Sequence, residues 1–230
     1  MRKTLALLFI ATAALVVQPA WAGDLQLQVL AASRSAARNE YSFKRTTVTE
    51  QTGKPRRTVV EQFDPRRPAN RQWLLVSVDG RAPTADERAE FDKSPRGKVP
   101  SYTNLSRWIG SDATKSDASP GYVSLRFKSL PAGTLMIASH DASADAQAQA
   151  LVNTKGKIPF VERVQMTSDK GFTFMLMVSV QHVAVGGKYA LDQRGRPVPA
   201  ETTVDIQGTL LGKSTRLKTV ATFSDFQPVS

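Results

Sequence analysis

From Tyr41 onward, apolar and polar positions alternate in short runs divided by turn residues, a pattern that predicts strands. Tyr41 to Glu50 sets Tyr41 and Phe43 on one side and Lys44 on the other. Gln51-Thr52-Gly53-Lys54 supplies a turn, and Arg57 to Phe63 returns with Val59, Glu61 and Phe63 on one face. Gln72 to Val78 is more apolar, as a central strand is, and Asp79-Gly80 ends it. Tyr122 to Leu130 and Thr134 to Ser139 read as strands about Pro131-Ala132-Gly133. Five more β-runs follow: Ile158 to Thr167, Phe172 to Val185, Lys188 to Asp192, Thr202 to Leu211 and Thr215 to Phe223. Ser168 to Gly171, Gly186-Gly187, Gln193 to Pro197 and Gly212-Lys213 connect them, and connections this short make antiparallel neighbours.

Helical spacing appears in three places. Asp24 to Asn39 gathers Leu25, Leu27, Val29, Leu30, Ala32 and Ala36 on one broad side, although Leu25-Leu27-Val29 also suits a strand. Thr84-Ala85-Asp86-Glu87 fits a capping box, in which hydroxyl and carboxylate satisfy each other's orphan backbone donors; this helix ends by Lys93. Asp141 to Val152 carries five alanines and predicts a helix capped by Asp141 or Ser143. Gly97 to Gly121 is polar and turn-rich apart from Leu105, Trp108 and Ile109, and reads as a long loop holding one helical turn. The expected class is mainly β with α (α+β), a strongly curved antiparallel sheet or barrel with two or three covering helices, in one domain over residues 23–230.

Residues 1–22 predict a cleavable signal peptide. Arg2 and Lys3 form a positive start, Leu5 to Val17 is an uncharged apolar run, and Ala20-Trp21-Ala22 offers a peptidase site. The run is short of the roughly 20 residues a membrane span needs. The expected location is the periplasm, with no stable membrane insertion after cleavage.

Composition narrows the function. The absence of cysteine rules out a disulfide framework, so an apolar core must hold the fold. A formal net charge of +11 in an exported chain points toward phospholipid head groups, lipopolysaccharide or acidic polypeptides, and away from nucleic acid; scattered basic residues equally serve solubility. Asp64-Pro65-Arg66-Arg67-Pro68 reads as a rigid basic turn. No nucleophile elbow, phosphate loop or metalloprotease motif occurs, so neither enzyme activity nor a cofactor or metal is expected. His182, in phase with Val180 and Ala184, predicts a packed core histidine, and Glu61 predicts a partner arginine.

The most informative run is Phe172-Thr173-Phe174-Met175-Leu176-Met177-Val178, apolar on both faces if it is one strand. It suits a central strand covered on both sides, or a strand with one face lining an apolar cavity, where methionine adapts to varied ligands. On the second reading the hydrophobic ligand site comprises Trp73, Leu75, Phe172, Phe174, Met175, Leu176, Met177 and Val178.

This order of parts, closing with Phe160-Val161-Glu162-Arg163-Val164, Phe172 to Val178, Gly208 to Ser214 and Thr222-Phe223-Ser224-Asp225-Phe226, resembles the periplasmic lipoprotein-carrier family of the Lol type. Stress-sensing envelope proteins share its fold, and uncharacterised envelope proteins share the order Phe63-Asp64-Pro65, Trp73, Val78-Asp79-Gly80. The resemblance implies a half-open β-barrel around an apolar concavity that binds lipid or lipoprotein acyl chains or hydrophobic peptide segments, with an envelope protein as a further partner. Without cysteine, only the soluble kind of member is implied.

Overall fold

The computed structural model describes residues 22–36, 41–94, 101–174 and 178–229. The expected signal segment lies outside them except for Ala22, which opens helix α1 (Ala22–Ser35). Strands β1 (Tyr41–Gln51), β2 (Arg57–Phe63) and β3 (Trp73–Val78) come next, then α2 (Ala85–Lys93). After a 3-10 turn at Tyr102–Arg107 come β4 (Thr114–Ser119), β5 (Tyr122–Phe127), and the small pair β6 (Met136–Ile137) and β7 (His140–Asp141). The chain closes with β8 (Gln147–Asn153), β9 (Phe160–Ser168), β10 (Phe172–Phe174), β11 (Val178–Leu191), β12 (Pro197–Leu210) and β13 (Lys213–Pro228).

Eleven strands make one open antiparallel sheet, ordered β3-β2-β1-β13-β12-β11-β9-β8-β5-β4, with β10 also paired to β11. The fold is thus mainly β with few helices, and the two edge strands, β3 and β4, do not meet. The last strand accepts the first: β1 pairs with β13 from Tyr41↔Pro228 to Gln51↔Leu217. The main core lies on one face, where Leu125, Phe127, Ala148, Ala150, Val152, Val161, Val164 and Val183 pack beneath α1 and the 3-10 turn. Two satellite clusters sit toward the β3 edge: Phe43, Phe63, Ala221 and Phe223, and Leu75, Val78 and Phe91 under α2.

Several expectations hold. Thr84 caps α2 with both halves of the capping box formed. The Leu105-Trp108-Ile109 patch is buried at a 3-10 turn, with Trp108 as its C-cap. Glu61 meets Arg45 across the β1–β2 ladder at 2.7 Å. Asp64 folds its turn by accepting from the Arg66 backbone N–H and guanidinium.

Others need correction. Residues 141–152 are not a helix: after a 3-10 turn at Ser143–Asp145, β8 runs as a strand. Alanine favours helix intrinsically, but Ala148, Ala150 and Val152 are buried while Gln147 and Gln149 are exposed, and that period of two fits only a strand. Phe172 to Val185 is not one strand. β10 and β11 pair antiparallel with Phe172 opposite Val180 and Phe174 opposite Val178, so the two-faced apolar strand does not exist as read. Gly186-Gly187 lies inside β11, not in a turn. A Cβ at Gly186 would strike Thr203 Oγ1, and one at Gly187 would stand 3.1 Å from Val164 Cγ2, so side chains of the neighbouring strands crowd both positions. β4 lies within the expected loop; its Thr-Lys-Ser-Asp-Ala-Ser sequence is wet on both sides and, among the described strands, pairs with β5 alone. Thr134 to Ser139 forms only the two-residue β6. His182 is no core residue. A register slip between Val180 and His182 takes it out of phase, and Nδ1 lies 2.6 Å from exposed Asp169 Oδ1.

Candidate functional site

The proposed site residues fall in separate places. Trp73 packs on Phe43 and Phe63, with the Arg45 guanidinium 4.1 Å from its ring centre. Leu75 packs with Val78 and Phe91. Phe172 borders the main core and stacks on His140, ring centres 3.8 Å apart. Phe174 stands opposite half-buried Val178. Strands β2, β1, β13 and β12 separate the Trp73–Leu75 pair from the Phe172–Val178 group, so the structure does not gather them into one site. Met175, Leu176 and Met177 lie outside the described residues.

The structure offers a different apolar hollow, about 270 Å³, between the 3-10 turn and the core face of the sheet. Leu105 and Trp108 form its roof, Val164 and Met166 of β9 with Val185 and Tyr189 of β11 its floor, and Leu135 one side. Gly186 and Gly187 also line it; a Cβ at Gly187 would stand 3.1 Å from Val164 of the floor, whereas one at Gly186 would meet Thr203, outside the lining. Ser101, Asn104, Arg107, Thr134 and Thr202 supply its polar groups. Arg107 is exposed and makes no ion pair with any described residue.

Local chemistry fixes the roof. Ser101 caps the 3-10 turn by accepting from the Thr103 N–H. Tyr102, buried beneath that turn, accepts the Val161 backbone N–H at 2.8 Å and meets Tyr189 edge-on, ring centres 5.1 Å apart. Burial pushes the Tyr102 hydroxyl up to about 12, and burial beside Tyr102 raises Tyr189 as well. Trp108 meets Phe127 edge-on at 5.0 Å. From above, α1 clamps the roof: Gln26 Nε2 donates to the carbonyls of Ile109 and Ser111, at 2.7 and 2.6 Å. Val29 and Leu30 are buried below it, and a Cβ at Gly110 would come within 3.1 Å of Leu30. These contacts fix the roof of the hollow against the sheet and α1.

A larger hollow of about 430 Å³ lies beside the β11–β12 turn, against Tyr41, Phe223 and Phe226. Asp192, Gln193 and Arg194 form part of its wall, so it is less apolar. Among the described residues no group of three or more His, Cys, Asp or Glu side chains could hold a metal ion, and no helix is long and apolar enough to cross a membrane.

The sequence missed the hollow because its walls come from residues with no local signal. In the sequence Leu105 and Trp108 stand out only as a patch, and Gly186-Gly187 reads as a turn. Only the strand pairing brings β9 and β11 under the 3-10 turn. Comparison with protein-family models, curated proteins and solved structures found no match.

Proposed function

We propose that this chain is an exported, periplasmic binding or carrier protein for a hydrophobic ligand, the acyl chain of a lipid or lipoprotein, held within a half-open β-barrel. The observation that carries this reading is the hollow beneath the 3-10 turn, apolar within and with polar groups around it. Its volume, about 270 Å³, falls just below the range of ligand pockets, roughly 300 to 1,000 Å³. It suits one chain rather than several.

Burying a methylene is worth about 0.8 kcal/mol, so six contribute roughly 5 kcal/mol before ordering costs. That energy alone corresponds to a dissociation constant on the order of 0.1–1 mM. A carrier must release what it takes up, and modest affinity suits that task. Arg107 is placed to meet a polar head group where the chain leaves the hollow.

A second reading is an envelope protein-interaction or stress-sensing module. One observation favours it: buried Leu125, Phe127, Val161 and Val183 pack together on the same face of the sheet. Native mass spectrometry of protein purified from its own periplasm separates the two. A mass excess matching one acyl-bearing molecule supports the carrier. A stoichiometric protein partner with no lipid supports the module and contradicts the carrier.

A further inference from the structure

On the sheet face turned away from the main core lies a second groove, about 680 Å³, whose chemistry is the opposite of the hollow's. The strand register builds it. Thr114 of β4 stands opposite Arg126 of β5, Arg126 opposite Gln149 of β8, and Gln149 opposite Gln165 of β9. These four side chains form one polar row across four strands, about 14 Å at the usual strand spacing. A second row lies beside it: Lys128 lines the groove two residues beyond Arg126, and Gln147 stands opposite Thr167. Gln149 is already oriented, since its Nε2 donates to the buried Ser124 Oγ at 2.8 Å and leaves its carbonyl oxygen available.

The charge is one-sided. Arg126 and Lys128 are exposed and make no ion pair with any described residue. Among the described residues no carboxylate lines the groove, and its continuation, which shares Thr114, Arg126 and Lys128, has Asp112 alone. Some cations elsewhere are matched, as in Arg216 with Asp205 and Lys188 with Glu201; here two stand side by side with no carboxylate between them. Two free cations among three side-chain amides and two hydroxyls match a polymer that carries both negative charge and many hydroxyl groups.

We infer that this groove binds an acidic polysaccharide, with Arg126 and Lys128 on its carboxylates and Gln147, Gln149 and Gln165 on its hydroxyls. The geometry favours sugar over the other anionic partners. Among the described residues neither groove nor continuation contains an exposed large apolar side chain, which a membrane-seated surface would present. The rows run across the strands, whereas an acidic peptide adding to the free edge of β4 would run along them.

The test measures binding of the full chain to oligogalacturonate, neutral dextran and inorganic polyphosphate by calorimetry. Oligogalacturonate binds and dextran does not. Arg126→Gln with Lys128→Gln weakens oligogalacturonate binding by about tenfold or more, and Gln149→Ala with Gln165→Ala by about threefold. Lys157→Gln with Lys213→Gln, equal in charge but outside the groove, leaves it unchanged. Circular dichroism and urea midpoints equal to wild type show that the variants are folded. The inference is overturned if oligogalacturonate fails to bind, or if the Lys157/Lys213 variant weakens it as much. Equal affinity for polyphosphate with no effect of the glutamine variant also overturns it, by showing that charge alone acts.

Discussion

Tyr102 accepts the backbone N–H of Val161 through its phenolic oxygen at 2.8 Å, beside the point where the β8–β9 register slips between Leu151 and Val152. One side chain thus ties the roof of the apolar hollow to the strand that supplies its floor. Tyr102→Phe keeps the ring and removes that acceptor from a buried N–H. A loss of about 1–3 kcal/mol in urea unfolding is expected. An unchanged midpoint would show that the bond does not hold the roof.

The same residue bears on stability at alkaline pH. Burial raises the Tyr102 hydroxyl to about 12 and raises Tyr189 too, from an ordinary value of 10.0. A group that gives up its proton more readily unfolded than folded destabilises the fold as pH rises. Their effect is absent below pH 10.0 and grows as pH climbs toward about 12. Tyrosinate absorbance from these two rings should therefore appear together with loss of circular dichroism. Tyr189→Phe should make the alkaline transition shallower.

At the acid end the α2 cap responds in the opposite sense. The Arg81 guanidinium beside Glu87, helped by the Thr84 backbone N–H, holds its carboxyl at about 2, down from 4.5. Its contribution is whole above pH 4.5 and is lost as pH falls through about 2. A carbon-detected NMR titration of Glu87 checks this, and Arg81→Ala should move the midpoint up toward 4.5.

The Arg45–Glu61 pair is largely dry, with Arg45 17% and Glu61 5% exposed. Glu61→Ala strands a guanidinium over the Trp73 ring and should cost about 3–5 kcal/mol. Arg45→Met in the same chain should recover part of that loss. A double variant no more stable than Glu61→Ala would contradict the pairing.

Glycines in the long strands should differ sharply. A Cβ at Gly208 would run into the Ser179 carbonyl, which is backbone and cannot move aside. At Gly186 it would meet only the Thr203 hydroxyl. Gly208→Ala should cost about 1–3 kcal/mol or more, and Gly186→Ala less, with Thr203→Ala restoring it.

These contrasts show what could be read along the chain. Gly53, Gly80 and Gly212 all sit at positive φ in turns, and the sequence marked each of those turns. The Thr84–Glu87 cap was visible because its four residues are consecutive. Gly186-Gly187 looked like a turn because the reason for glycine there, Thr203 on one neighbour and Val164 on another, is remote in sequence. β8 looked like a helix because alanine composition drowned its alternation with Gln147 and Gln149. β4, an edge strand wet on both sides, has no apolar pattern to detect. The hollow was illegible for a related reason: Leu105 and Val185 become neighbours only after the sheet has formed.

The central claim is that the hollow under Leu105 and Trp108 receives an acyl chain. Titrating delipidated protein with a fluorescent fatty acid, displaced by unlabelled dodecanoic acid, tests it most directly. Wild type should take up one equivalent saturably, and Thr202→Trp, which fills the space from β12, should abolish uptake while keeping its urea midpoint. Uptake by the Thr202→Trp protein equal to wild type, or none by wild type, would contradict the account.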